Sequence, residues 1–213
     1  MTHPLTPLSR REARRRDRRK AILAVASRSF LENGYAATTM SGIAATLGGS
    51  KGTLWSYFPS KEALFAAFLD DATTAYLARL AEILDPGGDL VETLRRLGLN
   101  LLTKITSSDS VALYRLVVSE SGRFPEMGAI FYEHVPGHTR RLVAEFLERA
   151  MDRGLLRRAD PELAARTFTM MMLSGCHQLV IWGQIPQATP DQIAADVDHG
   201  LDCFMRAYAP DAR

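Results

Sequence analysis

Cysteine is nearly missing from this chain. Cys176 and Cys203 are the only two in 213 residues, and neither belongs to a CxxC pair. That excludes a disulfide framework and a cysteine zinc site, and it suits a reducing cytoplasm. A Gly-rich phosphate loop and a GxSxG elbow are lacking too. No segment alternates apolar and polar residues convincingly, so no strand is expected. The most apolar run, TMMMLSGCHQLVIW, is interrupted by Ser174, His177 and Gln178 and is too short and mixed to span a bilayer. The N-terminus is basic and polar with no apolar stretch before a cleavage site, so a cytoplasmic location without a signal peptide or membrane partner is expected.

Two arrangements superficially suit chemistry. Cys176-His177 pairs a nucleophile with a base, but neighbours on a helix point about a quarter turn or more apart. His134 and His138 are four apart, yet Pro136 between them spoils the shared face that a metal pair needs. The expectation is therefore no enzyme, no metal and no cofactor.

What is present is ordinary in bulk and uneven in detail. The 46% hydrophobic and 23% charged fractions are those of a globular protein with room for one large or two modest domains. The run RREARRRDRRK, residues 10–20, holds eight basic and two acidic residues, a contribution of +6 to a net +2, which leaves −4 for the rest. A basic end on an otherwise acidic chain points to a polyanionic partner; a solvated tail is the plainer alternative.

Helical period runs through nearly the whole chain. A first helix over 14–33 presents Ile22, Leu23, Ala26 and Phe30 and closes at Asn33-Gly34. Thr39 caps a short helix with Met40, Ile43, Ala44 and Leu47 on one face. Gly48-Gly49 makes a turn, and Ser50 caps a third helix that ends before Pro59. A longer helix from Ser60 buries Leu64, Phe65, Phe68, Ala72, Tyr76 and Leu80 and stops at DPGG, residues 85–88. Further helices start at Asp89 and at Ser108, and another at Pro125 is kinked or divided at Pro136. The last two run over 161–182 and from Pro190 onwards, each with a cap and an N1 proline.

The stretch SKGTLWSYFPSKEALF mixes small, basic and aromatic residues. Two short helices about a Gly turn, with a third before them, form a helix-turn-helix, which lays its second helix in the DNA major groove. Leu54 and Phe58 should face inward. Ser50, Gly52, Thr53 and Ser56 leave room for close approach to DNA. Lys51 and Lys61 can neutralise phosphates, while Trp55 and Tyr57 can pack on the sugar-phosphate backbone.

TTMSGIAATLGGSKGTLWSYFPSKEALF closely resembles the helix-turn-helix signature of TetR-family transcriptional regulators, over roughly residues 20–68. The resemblance implies an all-α fold: a three-helix DNA-binding domain and a larger helical bundle that dimerises and usually binds a small molecule. It implies DNA contacts at Thr39, Ser50, Lys51, Gly52, Thr53, Trp55, Tyr57 and Lys61. Family N-terminal extensions can lie along phosphates or enter the minor groove, which gives Arg14, Arg15, Arg16, Arg18 and Arg19 a DNA role. Gly42, Gly49 and Trp55 depart from the usual Glu or Arg, Val and Tyr, which bears on affinity and base preference. The domains expected are a basic arm at 1–19, the DNA-binding unit at 20–66, and the ligand-binding and dimerisation unit at 67–213.

The bundle resembles regulators of the AcrR and AefR branches loosely, through LYRLVVSESGRFPEM. Its helix over 161–182 is apolar around much of its circumference, so one side should pack the core and another should meet a second subunit. Phe168, Met172, Leu179 and Trp182, with Ile193, Val197, Leu201 and Phe204 of the last helix, are the interface expected for a homodimer on a palindromic operator. A pocket for a small, largely apolar effector is expected among Phe68, Leu97, Leu101, Tyr114, Val117, Met127, Met171, Cys176 and His177; plain core is the alternative for each. The function expected is a repressor released from DNA by that effector. Two other readings remain: control by a protein partner or activation without any effector, and, remotely, a helical enzyme.

Overall fold

The computed structural model describes residues 9–48, 51–84 and 87–210, without the side chain of Lys51. The expected turn residue Gly49, the cap Ser50 and the Asp85-Pro86 stop lie outside the described residues. Among the described residues every regular element is helical.

Helix α1 (Arg10–Ala37) starts four residues earlier than the sequence period indicates. Ser9 and Glu12 form a capping box that the basic composition hides: the Ser9 hydroxyl accepts from the Glu12 N–H, and the Glu12 carboxylate accepts from the Ser9 N–H. Most of the expected arm is thus helix. At Gly34 (φ 85°, ψ 169°) the helical geometry breaks, in the left-handed half of backbone space that glycine enters freely. Thr39 then caps α2 (Met40–Thr46), accepting from the Gly42 N–H. After α3 (Lys51–Tyr57), Ser60 caps α4 (Lys61–Ile83) by accepting from the Ala63 N–H.

The bundle follows as α5 (Leu90–Ile105), α6 (Ser108–Glu120), α7 (Pro125–Tyr132), a π-helical turn (Glu133–Gly137), α8 (His138–Asp152), α9 (Pro161–Met172), α10 (Cys176–Ile181) and α11 (Pro190–Tyr208). The π turn holds Pro136, whose missing N–H and ring cannot continue a regular ladder. The single helix expected over 161–182 is two helices. It breaks at Ser174-Gly175, where the Cys176 N–H leaves the ladder to donate to the Asp196 carboxylate of α11 at 2.6 Å.

Two apolar cores share α4. Leu64, Phe65, Phe68 and Leu69 join the core under the helix-turn-helix, whereas Leu80 and Ile83 join the bundle core. The first core also takes Leu113, Leu116 and Val117 from α6 and Met127 from α7. The reading head is therefore built partly from residues more than forty positions past the expected boundary at 66. In the second core α5, α9 and α11 approach closely: a Cβ on Gly98 would lie 2.9 Å from Val197 and 3.3 Å from the Met172 sulfur.

Candidate nucleic-acid interface and effector cavity

The head presents α3 on an apolar footing. Leu54 and Phe58, four residues apart, are 2% and 4% exposed and pack with Ile22, Ile43 and Phe65. The opposite side keeps Gly52, Trp55 and Ser56 exposed, with Thr53 and Tyr57 half-buried. The Ser56 hydroxyl donates to the Thr53 carbonyl at 2.7 Å, and Thr39 stands exposed at the start of α2. Ser50 and the Lys51 side chain lie outside the described residues.

Behind this head the basic run forms the first turns of α1. Arg14, Arg15, Arg16 and Arg19 are exposed and Arg18 is half-buried. The Arg19 guanidinium lies 5.5 Å over the Phe58 ring, which ties the basic helix to the foot of α3. Arginines four apart on one helix repel each other, so a row of phosphates alongside would relieve that strain.

Lys61, expected at a phosphate, makes contacts within the chain. Its ammonium donates to the Tyr35 carbonyl at 2.8 Å and lies 4.1 Å over the Tyr35 ring and 5.5 Å over Phe124. Burial lowers its pKa, against the pull of Glu62, Glu120 and Glu126. The residue is a clamp within the chain, satisfied at a site turned toward the bundle. Tyr35, fully buried, is held from every side. Phe30 stacks on it, Phe65 and Phe124 meet it edge-on, and its hydroxyl donates to Glu62 at 3.3 Å. Its N–H goes to Glu120 of α6 at 3.0 Å. Local pattern could not reveal Glu120, because its partner is 85 residues away.

A cavity of about 660 Å³ opens between the head and the bundle. Helix α1 lines it with Leu23 and Ser27, α4 with Phe68 and Tyr76, α6 with Leu113 and Tyr114, and α10 with His177. Two buried polar atoms beside it lack partners. The Tyr76 hydroxyl forms no hydrogen bond of regular geometry, although the Thr139 hydroxyl is near, and burial pushes it up to about 12. His177, 6% exposed, leaves Nδ1 unpartnered, and burial lowers its pKa, so it is held neutral. Tyr114 meets the His177 ring edge-on with centroids 5.9 Å apart. Lys104 on the wall donates to the Ala72 carbonyl at 2.9 Å.

Of the residues expected at a pocket, Phe68, Leu101, Tyr114 and His177 line this cavity. Leu97, Val117, Met127 and Cys176 do not; they are buried in the two cores. Met171 faces a separate surface groove. Helical period finds an apolar face but cannot tell which part of it the neighbours fill. Lys20, Asp71, Lys104 and Arg140 line the cavity without any such signal, and Tyr76, read as part of the buried face of α4, lines it too.

Comparison with known proteins decides the family. Residues 22–68 match the family described as bacterial regulatory proteins, tetR family, and residues 92–210 match the AefR-like transcriptional repressor C-terminal domain. This chain belongs to the TetR family. It is 31% identical to the transcriptional repressor AcnR of Corynebacterium glutamicum over 159 residues, 74% of this chain and 78% of AcnR. The solved structure of the flavonoid-responsive regulator FrrA is 35% identical with a TM-score of 0.77, covering 92% of this chain and 99% of that one. A TetR-family regulator from Mesorhizobium loti shares the fold at 23% identity and a TM-score of 0.79, covering 94% of this chain and 100% of that one.

As a TetR-family member the chain is a DNA-binding transcriptional regulator, not an enzyme. The Cys176 thiol accords with this: burial and Asp196 push it up to about 12, far from a nucleophile. Among the described residues no group of three or more His, Cys, Asp or Glu could hold a metal ion, and no helix is long and apolar enough to cross a membrane.

TetR-family regulators act as dimers, and only part of the surface expected for that is exposed. Phe168, Met172, Ile193, Val197, Leu201 and Phe204 are buried inside a single chain. Close packing of α5, α9 and α11 consumes the faces that looked surplus. Leu179 and Trp182 do remain exposed, at 39% and 64%, with Leu163 and Met170 of α9.

Proposed function

We propose that this chain is a homodimeric repressor that binds a palindromic operator and is released by a small, largely apolar effector. The observation that carries the effector is the cavity of about 660 Å³, walled jointly by α1 of the reading head and by the bundle. Its size is that of sites for drug-sized molecules, and the unpartnered His177 Nδ1, with the Tyr76 hydroxyl beside Thr139, gives such a molecule polar groups to meet. A bundle with a solid interior would have favoured control by a protein partner. AcnR, by its name a repressor, and FrrA, by its name responsive to flavonoids, support the same reading. A ring-bearing effector suits walls that carry Phe68, Tyr76, Tyr114, Phe131 and His177.

DNA contact falls to Lys51, Gly52, Thr53, Trp55 and Tyr57 of α3, to Ser50 and Thr39, and to the arginines of α1. The dimer forms through the outer face of α9 and α10, where Leu163, Met170, Leu179 and Trp182 are exposed. The effector works by population shift: it prefers a conformation in which the two recognition helices no longer match successive major grooves. It can shift DNA affinity only by its differential affinity for the two states.

Fluorescence anisotropy on the DNA upstream of the protein's own gene, across a salt series and with a flavonoid panel, tests this. Saturation at two chains or a multiple, a clear preference over a scrambled duplex, and release by a flavonoid that also raises the melting temperature are expected. Equal, steeply salt-dependent binding to both duplexes would refute the specific-repressor reading.

A further inference from the structure

The cavity and the reading head share a connection besides α4. Helices α1 and α6 both line the cavity, α1 through Leu23, Ala24 and Ser27, α6 through Asp109, Leu113 and Tyr114. Beyond it they are clasped. Glu120, the last residue of α6, accepts from the Tyr35 N–H at 3.0 Å through Oε1 and from the Ala36 N–H at 2.7 Å through Oε2. These amides follow the break at Gly34, so they are donors whose regular ladder is interrupted. The fit is close: a Cβ on Gly34 would lie 2.5 Å from Glu120 Oε1. A carboxylate holding two N–H groups is a strong contact. It sits directly ahead of Thr38, which bonds the Gly34 carbonyl at 2.7 Å, and of Thr39, the cap of α2.

We propose that Glu120 is a positioning residue: its clasp on Tyr35 and Ala36 is the route by which the cavity's occupant sets the placement of α2 and α3. This rests on the effector reading for the occupant, but its mechanics are the chain's own. From Asp109 to Glu120 the helix extends about 16 Å, a short rod with one end at the cavity and the other at the junction. Tyr35 is gripped from both sides, its N–H by α6 through Glu120 and its carbonyl by α4 through Lys61. An occupant that spreads α1 from α6 must either drag residues 34–39 with α6 or break the clasp. Both change how α2 leaves α1. The clasp is thus an element with two discrete states that the cavity and DNA can each bias.

A double-mutant cycle tests the coupling. Ala24→Trp fills the cavity from the α1 wall as a built-in occupant. Glu120→Gln keeps the shape but sets an amide NH₂ against one of the two N–H donors. The readouts are anisotropy on a duplex that the wild-type protein selects from a random library, and hydrogen exchange of the Tyr35 and Ala36 amides. In the wild-type background, Ala24→Trp should weaken the duplex about tenfold and speed exchange at both amides. In the Glu120→Gln background the same substitution should change affinity by less than about twofold. Effects that simply multiply would overturn the proposal, as would an Ala24→Trp protein with unchanged affinity. Melting curves check folding, and if Glu120→Gln is unfolded at the assay temperature, Glu120→Asp takes its place in the cycle. Failure of the effector reading is a different result: no small molecule releases the duplex, while Ala24→Trp still acts through Glu120.

Discussion

Replacing Arg11, Arg15 and Arg19 together by alanine should flatten the salt dependence of DNA binding without lowering the melting temperature. These three are exposed and stand four residues apart, on a stripe that continues into the buried Leu23, Ala26 and Phe30. The side of α1 that packs on the head therefore extends beyond it as a row of arginines, anchored by Arg19 over Phe58. If each meets one phosphate, the slope of log affinity against log salt should fall by about 2.7, at roughly 0.9 per contact. Between 50 and 200 mM salt the wild type should then lose about fortyfold more affinity than the variant. Alanine favours helix most, and like-charge neighbour pairs three and four apart are relieved while one cation–π contact and the Glu12–Arg15 spacing are lost, so the terms for folding are small and opposed. Anisotropy titrations at four or five salt concentrations, beside melting curves, measure both quantities. A slope change of less than about one would refute phosphate contact by this stripe. A lowered melting temperature with an unchanged slope would make the arginines structural.

Three further outcomes follow from the packing. Leu54→Ala, at a site 2% exposed, should cost about 2–5 kcal/mol and abolish DNA binding through loss of the head, read by denaturant unfolding; a loss of binding without a loss of stability would contradict this. Leu163→Asp with Trp182→Asp, at positions 48% and 64% exposed, should leave the chain folded yet weaken the dimer at least about thirtyfold in sedimentation, and an unchanged dimer constant would exclude that surface. Burial depresses the pKa of His177 below its ordinary 6.5, so the unfolded chain takes up its proton first. That contribution to stability is whole above about pH 6.5 and is lost as pH falls toward the depressed value; His177→Phe should show a shallower acid-side loss in pH-dependent melting, and parallel curves would refute it.

Much of the reading head was legible because its signals are local. A cap at Thr39, an i, i+3, i+4, i+7 face on α2, and the Leu54–Phe58 pair all lie within one or two helical turns. The same holds for Asp89, Asp160 and Thr189, whose caps start α5, α9 and α11 as their spacing indicates. What local pattern did not show depends on distant partners. Lys61 is engaged within the chain because Tyr35, 26 residues back, offers it a carbonyl and a ring. The 161–182 helix broke because Asp196, 20 residues on, takes the Cys176 N–H.

By itself, then, the sequence determined an all-helical chain, a helix-turn-helix at its N-terminal end and the family that carries it, since period, caps and turn residues act over a few positions. Tertiary structure alone decided which apolar faces are consumed and which stay open. Leu97, Met127 and Cys176 look as suitable for a pocket as Phe68 and Leu101, and Phe168 looks as free for a partner as Trp182. Only the approach of α5, α9 and α11, and the space left open among α1, α4, α6 and α10, separates them, because burial is a property of neighbours brought together from across the chain.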